Sequence, residues 1–248
     1  MRNSIFLIIS VFVMLSCASK QWVLTDSSTS KIPINRYLDT IADNTMATFV
    51  GNYKKNLDNE MNQVIGQSST EMIAKKPESL LSNWASDIYL QAGSDYLKTA
   101  VDMAVVNMGG LRASLPKGDL TVGNIFQLMP FENELVILWL KGSEIEKLLD
   151  IFAREGGQGV AGVRMGIKDG KAINGLIQGK PIQKDELYSI ATNDFLAGGN
   201  DRMMPLTAAE KRVDTGLKIR NIIMEYVIAE TRHGRKIGSN LDGRIHLL

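Results

Sequence analysis

Val101-Asp102-Met103-Ala104-Val105-Val106-Asn107-Met108-Gly109-Gly110-Leu111-Arg112 is the stretch on which the fold is decided. Its first six residues are a short, largely apolar run that ends in Asn-x-Gly-Gly, the pattern of a buried strand emptying into a tight loop. The same design returns at Leu187 to Thr192, a second strand pattern that leads into Asn193-Asp194-Phe195-Leu196-Ala197-Gly198-Gly199-Asn200-Asp201. Upstream, Leu80 to Ala92 places Leu80, Leu81, Trp84, Ala85, Ile88 and Tyr89 on one helical face. Between the two loops, Glu134 to Leu140 reads as a strand broken by Gly142. Ser143-x-x-Glu146 then reads as a capping box for a helix carrying Ile145, Leu148, Leu149 and Phe152. Val160 to Ile173 has the pattern of a hairpin turned at Asp169-Gly170.

At the C-terminal side, Thr215 is placed to cap a helix with Ile219, Ile222, Ile223, Tyr226 and Val227 on its apolar face, and Arg244 to Leu247 reads as a closing strand. At the N-terminal side, Pro33 opens a long helical pattern through Ile34, Leu38, Ile41, Thr45, Phe49, Tyr53 and Leu57, which Gly51 is expected to divide or bend. Helices come first and last, with strands and one helix between them. That order argues for a single α+β domain of mixed sheets layered with helices, not a regular βαβ winding.

The chain has 248 residues, 44% hydrophobic and 22% charged, and a formal net charge of +1. A chain of this size buries roughly 70–75% of the surface its unfolded state exposes, enough for a substantial core. No basic block is present to bind nucleic-acid phosphates by counterion release, so a nucleotide would be recognised in a pocket and a nucleic acid is not an expected partner. Met1-Arg2-Asn3 followed by the apolar run Ile5 to Leu15 reads as a signal peptide, too short for a membrane-spanning helix of ~20 residues. The run ends at Met14-Leu15-Ser16-Cys17, and Cys17 is the only cysteine. The box resembles a bacterial lipoprotein cleavage site with Cys17 as the lipidated residue, the alternative being an ordinary secretory signal. The expected organisation is therefore residues 1–17 as signal peptide, 18–32 as a flexible Ser/Thr-rich tether, and 33–248 as the domain.

Several residues have chemistry suited to a ligand. Glycines after Asn107 let backbone N–H groups approach a ligand closely, and Arg112 offers a fork of donors for phosphate or carboxylate. Taken alone the segment reads first as a tight turn with an exposed arginine. Phe131, in Met129-Pro130-Phe131-Glu132-Asn133, and Phe195 both lie in Gly/Asn/Pro-rich settings. Each is either a core residue or one face of a sandwich for a flat base, where stacking is worth ~1–3 kcal/mol. Asp201 is a two-oxygen acceptor suited to vicinal hydroxyls. Gly157-x-Gly159-x-x-Gly162 imitates a dinucleotide fingerprint but lacks the βαβ setting, and reads as a flexible connection. His233 and His246 are the only histidines; His233 suits a helix C-terminus, where a cation complements the dipole. No His/Asp/Glu cluster has metal-ligand spacing.

These two loops, in this order and spacing, resemble the substrate-binding C-terminal domain of the 5′-nucleotidase family. The resemblance runs from about Ile34 to Ile245 and is strongest between Leu81 and Pro205. It implies a nucleotide or nucleoside ligand, with the base between Phe131 and Phe195, the ribose on Asp201, and the phosphate near Arg112. It also implies that Asn107, Asn133 and Gly162 line the site. In the family a metallophosphatase domain precedes this one, so the resemblance implies no catalytic residue and no cofactor held by this chain. Divalent metals would sit only on a separate metallophosphatase subunit. The expected function is the substrate-binding half of a split 5′-nucleotidase, anchored by lipid to a bacterial cell envelope. The alternative is a non-catalytic nucleoside- or nucleotide-binding envelope lipoprotein. Two departures stand out: Arg202 replaces a family glycine, and Asp95 falls near the place of a family arginine.

Overall fold

The computed structural model describes residues 22–41 and 43–248, with the side chains of Asp39 and Ile41 left aside; the signal segment and Cys17 lie outside the described residues. By its contacts the chain divides between Val50 and Gly51. In the first unit, residues 22–35 have no regular structure, and a 3-10 helix covers Arg36–Ile41. Helix α1 (Asn44–Met61) begins after Asp43, whose carboxylate accepts from the N–H groups of Thr45 (2.7 Å) and Met46 (3.1 Å). Gly51 neither divides nor ends α1; the interruption comes before Asn44 instead. One interior glycine costs only about 1 kcal/mol, too little to stop a helix whose flanking residues continue it.

From Gly51 onward the elements run β1 (Val64–Ser68), α2 (Leu80–Leu97), β2 (Met103–Val106), β3 (Gly118–Thr121), α3 (Val122–Leu128), β4 (Glu134–Lys141) and α4 (Gly142–Arg154). They continue with β5 (Gly159–Ala161), β6 (Val163–Lys168), β7 (Lys171–Ile177), β8 (Lys180–Pro181), β9 (Leu187–Asn193), α5 (Asp194–Ala197), β10 (Lys211–Lys218), α6 (Ile219–Arg232) and β11 (Ile245–Leu247). This is the mixed α+β arrangement that the order of elements predicts. The central sheet has the order β10-β4-β9-β2-β5, and only its β2–β9 pair is parallel. A four-stranded sheet, β11-β6-β7-β8, and a β1–β3 pair complete the β structure of the described residues.

Strand alternation sends side chains to opposite faces of the central sheet, and the core divides accordingly. Ala104, Val106, Leu135 and Ala191 join Leu81, Trp84, Tyr89, Ile219 and Ile223 on one face, under α2 and α6. Met103, Val105, Val136, Leu138 and Ile190 join Ile145, Leu148 and Phe152 on the other, under α4. A one-residue slip of β2 would exchange its contributions to the two cores, so the register is firmly specified.

Two expected caps are not used. Helix α4 starts at Gly142, and its first N–H groups donate to the carbonyls of Glu186 (2.9 Å) and Lys184 (3.0 Å), so the turn before β9 does the work assigned to Ser143. Thr215 lies within β10, donating its hydroxyl to the Leu135 carbonyl at 2.6 Å, and α6 begins later, at Ile219. The hairpin does turn at Asp169-Gly170, both with positive φ, but Val160 belongs to β5 in a different sheet.

Candidate functional site

The β2–β9 pair is parallel, with Met103 opposite Ile190 and Ala104 opposite Ala191, so both strands deliver their following loops to one end of the sheet. Strand β4 runs antiparallel to β9 with Leu135 opposite Asn193, which puts the residues before β4 at that same end. Three segments distant in sequence therefore meet there: Asn107–Gly110, Phe131–Asn133 and Asn193–Phe195. Ligand sites favour such carboxyl ends of parallel strands, where loops are free to diverge.

Local hydrogen bonds fix each loop. The Asn107 side chain, largely buried, accepts from the Gly110 N–H at 3.1 Å and holds residues 108–110 in a single 3-10 turn. Arg112 donates its backbone N–H to the Leu128 carbonyl (2.9 Å) and its guanidinium to the Gly109 carbonyl (3.3 Å), leaving its exposed end at the rim of the loop. Asn193 Oδ1 accepts from the Leu196 N–H at 2.7 Å and so caps the short α5 that carries Phe195. The Asn193 amide also meets the hydroxyl of Tyr89, a fully buried phenol whose pKa is pushed up by burial.

Phe131 is 50% exposed and Phe195 39% exposed. Their open faces stand at the end of neighbouring strands. Beneath Phe131, a crevice with room for about one water is lined by Asn107, Gly110, Asn133, Asn193 and Tyr89. On the other side of Asn107, a cavity of about 210 Å³ is lined by Gly109, Gln158, Asp201, Arg202, Glu155 and Lys76 among others. The Asp201 carboxylate points toward Gly109: a β-carbon on that glycine would lie 3.8 Å from Asp201 Oδ2.

Of the residues expected at the site, Asn107, Arg112, Phe131, Asn133, Phe195 and Asp201 come to this end of the sheet. Gly162 does not. It follows β5, whose Ala161 and Gly159 pair with Ala104 and Val106, so it lies beside the start of β2 and not its end. From Gly159 to Gly162 the chain travels roughly 10 Å at ~3.3 Å per residue. A glycine is needed there for a different reason: φ is +72°, and a β-carbon would overlap the Asp102 carbonyl oxygen. The glycine at the site end is Gly159, opposite Val106, where a β-carbon would come 3.3 Å from Met108 Sδ. Nor is the 157–162 segment loose; Gly157, Gln158 and Gly159 are buried.

Sequence reasoning missed Tyr89, Asn193, Gln158, Lys76 and Glu155 as neighbours of the site. Asn193 was legible as an N-cap, since Asn precedes a short helix; the others arrive only through tertiary packing. Arg202 pairs with Glu155, whose backbone carbonyl also accepts from Lys76 Nζ at 2.7 Å. Asp201 and Arg202 both have positive φ, +51° and +66°, a conformation that non-glycine residues adopt at a cost. Two adjacent side chains held there aim a carboxylate and a guanidinium at one cavity.

Among the described residues no group of three or more His, Cys, Asp or Glu is placed to hold a metal ion. The side chains that do gather at this end of the sheet are two aromatic rings, a carboxylate and a guanidinium.

Residues 64–208, more than half of the chain, match the family model described as 5′-nucleotidase, C-terminal domain. This chain belongs to that family. Relatives include Protein UshA of Yersinia enterocolitica, 32% identical over 135 residues, or 52% of this chain and 24% of that protein. The Trifunctional nucleotide phosphoesterase protein YfkN of Bacillus subtilis is 26% identical over 245 residues, covering 90% of this chain and 16% of that protein. Among solved structures, the 5′-nucleotidase precursor from Thermus thermophilus superposes with a TM-score of 0.70 at 27% identity, over 83% of this chain and 44% of that one. The chain thus spans a quarter or less of these curated relatives, and its role is nucleotidase-related. No described helix is long and apolar enough to cross a membrane.

Proposed function

We propose that this chain is the nucleotide-recognising half of a 5′-nucleotidase, acting with a metallophosphatase that it does not itself contain. The observation that carries the reading is the convergence of Phe131, Phe195, Asn107 and Asp201, from three segments distant in sequence, on one end of the central sheet. The base stacks on the exposed faces of Phe131 and Phe195, and Asp201 accepts from the ribose hydroxyls. Asn133 and Asn107 line the floor, and Arg112 contacts the phosphate. Hydrolysis needs a metal-activated water, which the partner supplies. In this reading the chain is exported and held at the cell envelope by a lipid on Cys17.

Isothermal titration of the purified chain with AMP, adenosine and a nucleotide sugar tests recognition. Saturable binding that weakens in Phe195→Ala is expected; absence of binding to all three refutes it. Copurification then tests the partner: a metallophosphatase should accompany the chain and gain activity toward AMP from it. Mass spectrometry of the exported protein tests the anchor, and residues 1–16 retained on it would exclude lipidation.

A further inference from the structure

The cavity of about 210 Å³ beside Asp201 carries groups that the nucleotide reading leaves idle: Lys76, Gln158, Glu155 and Arg202. Three separate segments bring them together. Lys76 comes from the stretch before α2, Glu155 and Gln158 from the turn after α4, and Arg202 from the loop after α5. The first two segments are pressed onto each other: Gly157 packs against Pro77 so closely that a β-carbon on it would lie 2.3 Å from Pro77 Cα. Glu155 ties the two cations in place. Its carboxylate pairs with Arg202 and lies 3.8 Å from Lys76 Nζ, and its backbone carbonyl accepts from that Nζ at 2.7 Å.

The donors left over decide what the cavity accepts. Gln158 is 8% exposed, and its Oε1 accepts from the Gly159 N–H at 3.1 Å. That bond fixes the amide, so Nε2 is its free end; it has no partner among the described residues and is not sealed from solvent. A largely buried donor without a partner favours a ligand that brings an acceptor. Arg202 spends one terminal nitrogen on Glu155, and its Nε and second terminal nitrogen have no partner among the described residues. Lys76 Nζ keeps donor capacity beyond the Glu155 carbonyl. The charges that line the cavity are two cations, Lys76 and Arg202, and two carboxylates, Glu155 and Asp201. With a nucleotide bound, Asp201 is engaged by the ribose, and Glu155 is shared between both cations. One positive charge is left uncompensated.

A group that enters beside the ribose must therefore bring acceptors and negative charge. A hydroxyl brings no charge, and an ammonium would face Lys76 and Arg202 with no lone pair to accept from them. A phosphate monoester supplies three acceptor oxygens and a charge of about −2, which suits a guanidinium fork and an ammonium together. We infer that the cavity takes a second phosphate, carried on the 2′ or 3′ oxygen of the ribose, while the neighbouring hydroxyl stays on Asp201. The inference deepens the nucleotide reading and rests on it: the preferred ligands are nucleoside bisphosphates, and Arg202 and Lys76 are the residues that select them. It also accounts for Arg202 itself. That residue stands at φ +66°, a conformation easier for glycine, and its guanidinium is the reason to hold a side chain there.

The test titrates the purified chain by calorimetry with AMP, adenosine 3′,5′-bisphosphate and adenosine 2′,5′-bisphosphate. At low salt one of the bisphosphates is expected to bind about tenfold more tightly than AMP, as for one added charge-assisted hydrogen bond. That ratio shrinks at about 1 M salt, where charges are screened beyond about 3 Å. Arg202→Gly, which suits the backbone at that position, and Lys76→Gln each bring the ratio to within about threefold of unity. Arg112→Ala weakens AMP and the bisphosphates alike and leaves the ratio in place, since it meets the 5′-phosphate. The inference is overturned if AMP binds and neither bisphosphate binds more tightly, or if the preference survives both Arg202→Gly and Lys76→Gln. Failure of all three ligands to bind would overturn the nucleotide reading along with it, whereas AMP binding without a preference overturns the second-phosphate site alone.

Discussion

Replacing Gly162 by alanine separates a glycine needed for folding from one needed for a ligand. At φ +72° an alanine carries the left-handed penalty of about 1–2 kcal/mol. Its β-carbon also overlaps the Asp102 carbonyl oxygen and comes within 2.7 Å of Gln178 Nε2 and 3.1 Å of Met103 Cα. The first of these is backbone that cannot rotate aside. Moving it disturbs the hydrogen bonds that Asp102 exchanges with Ser189, in which the Ser189 N–H and hydroxyl both donate to Asp102 Oδ2 at 2.7 Å. Overpacking of this kind costs about 1–3 kcal/mol. Together the two effects destabilise the fold by roughly 2–5 kcal/mol. With a urea slope of about 2 kcal/mol per molar, the unfolding midpoint falls by roughly 1–2.5 M. Nucleotide affinity, titrated under conditions where the variant remains folded, is expected to match that of the unmodified chain. Unchanged stability with affinity lost more than tenfold would refute the reasoning and return Gly162 to the base pocket.

Other substitutions carry different signatures. Phe131→Ala and Phe195→Ala each weaken AMP binding by ~1–3 kcal/mol, read by calorimetry, while the melting temperature falls little because both rings are substantially exposed. Tyr89→Phe leaves the Asn193 amide unpaired beneath the site and destabilises the chain by about 1–3 kcal/mol in urea unfolding. Asp242 has its pKa lowered below 3.8, first by the hydrogen bond from Arg244. A lowered carboxylate stabilises the fold fully above its unfolded pKa and ceases to do so as pH falls through the folded value. The stability difference between the unmodified chain and Asp242→Asn should therefore be constant above about pH 5 and shrink steadily below pH 4. A difference that grows on acidification would show that Arg244 does not hold this carboxylate.

The elements whose side chains repeat cleanly were legible in the sequence: β2 and β9 as apolar runs, the β6–β7 turn at Asp169-Gly170, and the buried face of α2. Strand β10, Lys211-Arg212-Val213-Asp214-Thr215-Gly216-Leu217-Lys218, was not, because an edge strand with few buried side chains has no strong apolar alternation. For the same reason β1 and β3, short and partly polar, left no mark. The caps of α4 and α6 were misread because the backbone of distant segments can satisfy a helix end as well as a local Ser or Thr. At the site, the residues on turns were legible from their Gly/Asn settings. The Lys76–Glu155–Arg202 pairing and the Tyr89–Asn193 contact were not, since each joins positions with no sequence pattern between them.

The parallel pairing of β2 with β9 has a kinetic consequence. Met103 and Ile190 are neighbours in space while the whole of β3 to β8 lies between them in the chain. Closing so long a loop costs entropy before any contact repays it, and such pairings are slow to form. Helix α2 and the β6–β7 hairpin are local and can form early, but the loops bearing Asn107 and Phe195 meet only when β9 docks between β2 and β4. Nucleotide binding followed during refolding would thus appear with the last step of sheet closure, and a chain truncated before Leu187 would retain hairpins and helices yet present no binding end at all.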